Sequence, residues 1–129
     1  MKKLERMTEY EIQCRFVRLI DRLNSTQKAG ILYCATQGGV RTTIGTARKM
    51  VSSGYRKGIP DLMIYNRRGD LIGLALELKT EKGKVSPHQK EWIQKLNDEG
   101  WEAKSVFGYE QCVEALFEYF TELDRPEAV

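Results

Sequence analysis

The stretch GIPDLMIYNRRGDLIGLALELKTEKG, Gly58 to Gly83, reads as two apolar runs on either side of a turn. DLMIY is of strand length, NRRGD offers a turn with Gly69 free to take a positive φ, and LIGLALELKT is the longer partner. The near-continuous apolar character of the second run implies burial on both faces and hence a central strand. Charge interrupts this pattern where a strand prefers none. Asp61 opens the first run, and Glu77 and Lys79 punctuate the end of the second. Alternation puts residues i and i+2 on one face, so Glu77 and Lys79 point together, and hairpin pairing brings Asp61 beside them. Two carboxylates and an ammonium are therefore expected to share one face at one end of the sheet.

Working outward, Thr8 to about Leu23 predicts a helix, with Thr8 and Glu11 as a capping box and Ile12, Phe16, Leu19, Ile20 and Leu23 on one apolar face. ILYCAT predicts a short strand, QGGV a turn, and TIGTARKMVSS a short helix ending near Gly54. After the hairpin, SPHQ is a strong helix start: Ser86 as N-cap, Pro87 at the first helical position and Gln89 completing a second capping box. That helix should run to about Asp98, with Trp92, Ile93 and Leu96 inward and Gly100 closing it. WEAKSVF is a further strand. YEQCVEALFEYFTEL is an amphipathic helix with Cys112, Val113, Leu116, Phe117 and Phe120 on one face. The order α-β-(short α)-β-β-α-β-α predicts an α/β fold, a mixed central sheet flanked by helices. No repeat or linker divides residues 1–129, and 124–129 read as a frayed tail.

At 129 residues, with 41% hydrophobic and 30% charged, the chain has the balance of a single globular domain. Its apolar runs are too short for a bilayer span, and MKKLERMTEY lacks an apolar h-region, so a cytoplasmic protein is expected, with no membrane partner. Cys14, Cys34 and Cys112 are an odd number, widely spaced and without a C-x-x-C pair, which argues against structural zinc and disulfides; each is expected to be a buried small hydrophobe. The net charge of +3 is mild, but its distribution is uneven. Arg41, Arg48, Lys49, Arg56 and Lys57 crowd the segment before Asp61, and Lys82 and Lys84 follow Lys79. Glu110, Glu114, Glu118, Glu122, Asp124 and Glu127 gather at the C-terminus. Such asymmetry suits an anionic partner on one side of the molecule.

Two close carboxylates repel, and burial raises the cost of ionising either. A hard divalent cation resolves both problems, and Mg²⁺ commonly takes one or two carboxylates with waters and substrate phosphate completing its shell. Lys79 is then placed to orient water or to meet charge building on a phosphate oxygen, a set suited to phosphodiester hydrolysis. The competing reading is an interior ion pair of Lys79 with Glu77 or Asp61. Buried pairs seldom offset their desolvation in stability alone, which shifts weight toward function.

Pro60-Asp61 followed by Glu77-Leu78-Lys79 resembles the PD-(D/E)XK motif of restriction-endonuclease-like nucleases, whose core is an αβββαβ arrangement. With its surroundings, GYRKGIPDLMI and GLALELKTEKGKVSPHQKEWIQKLNDEGWEAKSVFG, together with TEYEIQCRFVRLI and QGGVRT, the chain resembles the VRR-NUC (virus-type replication-repair nuclease) family over about residues 8 to 110. The resemblance implies Asp61 and Glu77 as metal ligands for Mg²⁺ or Mn²⁺, Lys79 as catalytic, and Leu78 as a backbone-carbonyl ligand. It also implies an acid on the first helix leaning toward the metal, with Glu9 matching best and Glu11 competing. Gln89 matches a glutamine that faces the site and helps orient Lys79 or a phosphate. Gln37 stands where many relatives carry asparagine, a departure that puts one contact in doubt, and His88 is expected to be exposed rather than catalytic.

The basic residues Arg41, Arg48, Lys49, Arg56, Lys57, Lys82 and Lys84 are expected to meet the DNA backbone, which gives affinity without sequence information. No base-reading module accompanies them, which suggests recognition of shape. Stand-alone chains of this family and size resemble phage-encoded homodimers that act on four-way junctions, two-fold symmetry matching two symmetric strands. The expected activity is thus a structure-selective DNA endonuclease, a Holliday junction resolvase, in a bacterial or phage-infected cell. A flap endonuclease or nickase of phage replication and repair is the alternative within that class, and a catalytically silent DNA-binding subunit the alternative outside it. Tyr109, Phe117, Tyr119 and Phe120 are weighed as a dimer face against core packing, which is the preferred reading.

Overall fold

A computed structural model of the chain describes residues 7–36 and 43–127. Helix α1 (Glu9–Thr26) opens with the expected box: Thr8 Oγ1 accepts from the Glu11 amide at 3.1 Å, and the Thr8 amide donates back to the Glu11 carboxylate at 3.0 Å. Its inward stripe, Ile12, Phe16, Leu19, Ile20 and Leu23, is buried as the 3.6-residue spacing requires. Strand β1 (Tyr33–Ala35), helix α2 (Ile44–Ser52), strands β2 (Leu62–Ile64) and β3 (Leu74–Lys79), helix α3 (Pro87–Asp98), strand β4 (Glu102–Phe107) and helix α4 (Tyr109–Tyr119) follow. Among the described residues these make a mixed four-stranded sheet in the order β1-β2-β3-β4, flanked by four helices. β1–β2 and β2–β3 are antiparallel and β3–β4 is parallel, with α3 as the crossover that a parallel pair needs.

The two faces of β3 differ by alternation. Leu74, Leu76 and Leu78, with Leu62 and Ile64 of β2, join the main core under α1 and α4. The opposite face carries Met63, Ala75 and Ala103, covered by Ile93 and Leu96 of α3 and by Trp101. The small alanines give α3 room to lie close to the sheet. Glu77 and Lys79 continue that same odd-numbered face, and every residue of β3 is buried, as expected for a central strand.

Several expectations are corrected. The hairpin strands are shorter than DLMIY and LIGLALELKT, because regular pairing stops at Ile64 and Leu74. A Cβ on Gly73 would lie 2.5 Å from the Trp101 ring and 2.7 Å from the Ile64 carbonyl, so only a glycine fits where β3 begins. Beyond it, Arg68 and Leu71 exchange backbone hydrogen bonds around Gly69 (φ 58), a tight turn of their own. Of the cysteines only Cys112 is buried; Cys14 is half-buried and Cys34 exposed, since its three-residue strand is at the sheet edge. The start of the expected frayed tail is held. Gln27 brackets the Asp124 backbone through both amide atoms, at 2.7 and 2.9 Å, and Arg125 pairs with Glu110 at 3.2 Å. Tyr109, Tyr119 and Phe120 are buried in the core, with Phe117 packed against it, which removes them as a free aromatic face. No helix among the described residues is long and apolar enough to cross a membrane.

Candidate active site

The cross-strand register places Leu62 opposite Leu76, so the chain entering β2 at Asp61 runs beside Glu77. Asp61 Oδ2 accepts a 2.8 Å hydrogen bond from the Leu78 amide, fixing the carboxylate against β3. A strand residue sends its N–H and C=O to the same edge, so the Leu78 carbonyl faces the Asp61 side as well. Glu77 is 2% exposed; its Oε2 accepts from Gln89 Nε2 at 3.0 Å and lies 3.7 Å from Lys79 Nζ. Gln89 makes the capping box and also faces the neighbouring strand, where it meets Glu77. Its Oε1 accepts from the Ser86 amide at 2.8 Å in the capping box of α3, while its Nε2 reaches Glu77 rather than Lys79. The helix start thus aims a side-chain donor at the acid on the neighbouring strand.

Charge crowding is visible in the ionisation of the acids. Burial, then the neighbouring Asp61, pushes the Glu77 carboxyl up to about 8, against which Lys79 works in the opposite direction. Burial also raises Asp61, opposed by the Leu78 amide, by hydrogen bonding with Glu77 and by Lys79. Apart from the proton that the Asp61 and Glu77 carboxyls can share, Glu77 Oε1 is buried without a hydrogen-bond donor, the arrangement expected of an oxygen reserved for a proton or a cation. A hard divalent cation suits the chemistry of these donors: two interacting carboxyls, with the Leu78 carbonyl on the Asp61 side.

Glu9 does not join Asp61 and Glu77 in a cluster of three acids; no such metal-holding group occurs among the described residues. It stands exposed at the N-terminus of α1, a helix packed on the other sheet face, yet its negative charge still reaches Glu77. Glu11 is occupied by the capping box with Thr8. His88 is exposed, as expected. Arg48, Lys49, Lys57, Lys82 and Lys84 are exposed, whereas Arg56, also exposed, turns back to donate to the carbonyls of Val51 and Tyr55 at 3.0 and 2.9 Å. Arg41 and Gln37 lie outside the described residues.

Sequence reasoning missed two residues that hold Asp61 in place. Thr36, just beyond β1, donates its amide to the Asp61 carbonyl at 2.8 Å and its hydroxyl to the Pro60 carbonyl at 2.8 Å. On the other side Gly58 (φ 96) packs on α3 so closely that a Cβ would meet the His88 carbonyl carbon and oxygen at 2.7 Å. A glycine two residues before a proline is the only signal the sequence gives of that second contact.

Comparison with known proteins bears on the fold and the family. One solved structure described as a VRR_NUC domain protein is similar with a TM-score of 0.74 and 25% identity over 92% of each chain. A second, described as a VRR_NUC domain, shares the fold with a TM-score of 0.54 and 20% identity over 88% of this chain and 99% of that one. No curated protein matches significantly. The family model for the VRR-NUC domain matches residues 40–108, more than half of the chain and the whole span from Asp61 to Gln89. The chain therefore belongs to the VRR-NUC family of nuclease domains.

Proposed function

We propose that the chain is a divalent-metal-dependent, structure-selective DNA endonuclease, and more narrowly a Holliday junction resolvase. The observation that carries the metal-dependent reading is the buried Glu77 Oε1, which no donor reaches, on a carboxyl that interacts with Asp61 and has Lys79 3.7 Å from its other oxygen. Asp61, Glu77 and the Leu78 carbonyl are the residues that would hold Mg²⁺ or Mn²⁺. When bound, such an ion supplies Lewis-acid polarisation of the scissile phosphate and lowers the pKa of water. Gln89 steadies Glu77, and Lys79 faces charge developing on the phosphate oxygens. Glu9 contributes from a distance through its field on Glu77.

Four-way junctions are favoured because exposed basic residues, Arg48, Lys49 and Lys57 before Asp61 and Lys82 and Lys84 after Lys79 in the sequence, come without a base-reading module. A homodimer would set two such sites against the two symmetric strands. The test is a panel of end-labelled DNAs (four-way junction, flap, nicked and linear duplex) incubated with Mg²⁺, Mn²⁺ or chelator. Paired symmetric cuts in the junction, abolished by chelator and by Asp61→Ala with binding retained, are expected. Preferential flap cleavage or single-strand nicking would replace the resolvase reading, and wild-type binding without any cleavage would mark a silent subunit.

A further inference from the structure

Helix α2 is built unlike every other helix described. None of its residues belongs to either core cluster, whereas α1 and α4 bury full stripes and α3, although it too has no fully buried residue, packs Ile93 and Leu96 on the second cluster. Ile44 is 74% exposed and Val51 53% exposed. At spacings of four and three, Ile44, Arg48 and Val51 share one side of the helix, so two β-branched side chains flank a guanidinium. A nine-residue helix is marginal alone and is normally stabilised by turning apolar groups inward. This one is instead secured at its ends. Thr43 Oγ1 caps the Thr46 amide at 3.1 Å, and Arg56 donates to Val51 at the far end.

The surroundings identify the partner. Residues 36–60 contain no acid. From α2 the chain passes to Gly58, packed on His88, and to Pro60-Asp61, held by Thr36. The helix is therefore tied to the catalytic acid by a short, braced connection. A second copy of this acid-free helix would repel the first, and two apolar side chains are too small a patch for a stable protein interface. An apolar wedge with basic flanks suits DNA, where one or two such side chains lie against base faces while cations hold phosphates.

Resting on the nuclease reading above, we propose that α2 recognises the branch point of DNA: Ile44 and Val51 pack on unstacked bases there, and Arg48, Lys49 and Lys57 hold the adjoining phosphates. An intact duplex offers only base edges, and its opening costs stacking energy. At a branch the terminal pairs already expose their faces, so the apolar contact selects branched over linear DNA.

Binding in chelator separates this from catalysis. Affinities of wild type, Ile44→Ala/Val51→Ala and Arg48→Ala/Lys49→Ala are measured on a four-way junction, a flap and a linear duplex of equal length. 2-Aminopurine at the branch reports unstacking, and thermal melts check folding. The apolar double variant is expected to lose about tenfold or more in branched-DNA affinity, with duplex affinity unchanged and the 2-aminopurine rise abolished. The basic double variant should weaken all substrates alike and reduce the salt slope by about 2. Equal loss on every substrate in the apolar variant, no loss, a change only in oligomeric state, or a wild type without branch preference would each overturn the proposal. If wild type prefers branches through Ile44 and Val51 but never cleaves, the nuclease reading fails while the role of α2 stands. Cleavage without that preference refutes the role of α2 and leaves the nuclease reading intact.

Discussion

Glu77 carries the site's chemistry in its ionisation. The carboxyl, ordinarily near 4.5, is pushed to about 8 by burial and by Asp61, whose own carboxyl is raised in the same sense. Between those two values the folded chain holds a proton that the unfolded chain has lost. The associated stability is therefore present below about pH 4.5 and disappears as pH rises through about 8. Metal-free protein should melt at progressively lower temperature from about pH 5 to about pH 8.5. Glu77→Gln should flatten that decline, and added Mg²⁺ should offset it at the alkaline end. A wild-type profile that is level across the range would mean Glu77 is ionised throughout. The acids and Lys79 were legible because strand alternation fixes their common face. The grip on Asp61 was not, since Thr36 lies 24 residues from Pro60 and acts through backbone groups. Gly58 sets a second test at this scale. With φ 96, and with the His88 carbonyl 2.7 Å from where an alanine methyl would sit, Gly58→Ala should destabilise by about 1–3 kcal/mol and move Asp61 off its partner. Thermal melts together with metal titration measure both effects, and a variant with wild-type values in each would show that the contact relaxes freely.

Helix α3 shows how one element serves stability and chemistry through different atoms of neighbouring residues. Ser86 Oγ caps the Gln89 amide at 3.2 Å, while the Gln89 side chain satisfies the Ser86 amide and Glu77 together. Ser86→Ala removes the cap alone and is expected to cost about 1 kcal/mol with cleavage per folded molecule nearly retained. Gln89→Ala leaves Glu77 Oε2 with Lys79 only, so metal affinity or cleavage should fall about 10- to 100-fold. Melting curves and cleavage rates for the pair provide the check; equal activity losses would mean the helix start, not the Gln89–Glu77 bond, positions the acid. This helix was legible to the residue because caps are local, written in S-P-H-Q. The extents of β2 and β3 were not, because apolar runs do not show where cross-strand pairing stops, here at Ile64 and Leu74. The periodicity of α2 likewise gave the helix without revealing that its apolar residues face water.

At the scale of the molecule, the sheet separates two charge environments and leaves two edges to protect. Glu110, Glu114 and Glu118 recur every four residues on the exposed side of α4, over the face opposite Glu77 and Lys79, which disfavours an anionic partner on that side even though Arg125 and Lys104 pair with two of them. The edge at β1 is only three residues long, a small template for another strand. The edge at β4 is twice that length and is capped by side chains near both ends. Asn97 accepts from the Ala103 amide at 2.8 Å and donates to its carbonyl at 3.0 Å, and Gln111 accepts from the Phe107 amide at 2.9 Å. These bonds occupy both outward groups of Ala103 and the outward amide of Phe107, which an added strand would otherwise engage. Asn97→Ala frees both groups of Ala103, a residue with 6% exposure, and should cost about 1–3 kcal/mol. It should also produce assemblies larger than wild type that grow with concentration, read by light scattering. Asn97→Asp keeps the acceptor for the amide and adds a charge that opposes strand addition, so it should lose stability while keeping the wild-type size. If Asn97→Ala and Asn97→Asp associate equally, the edge is guarded by something other than these side-chain bonds.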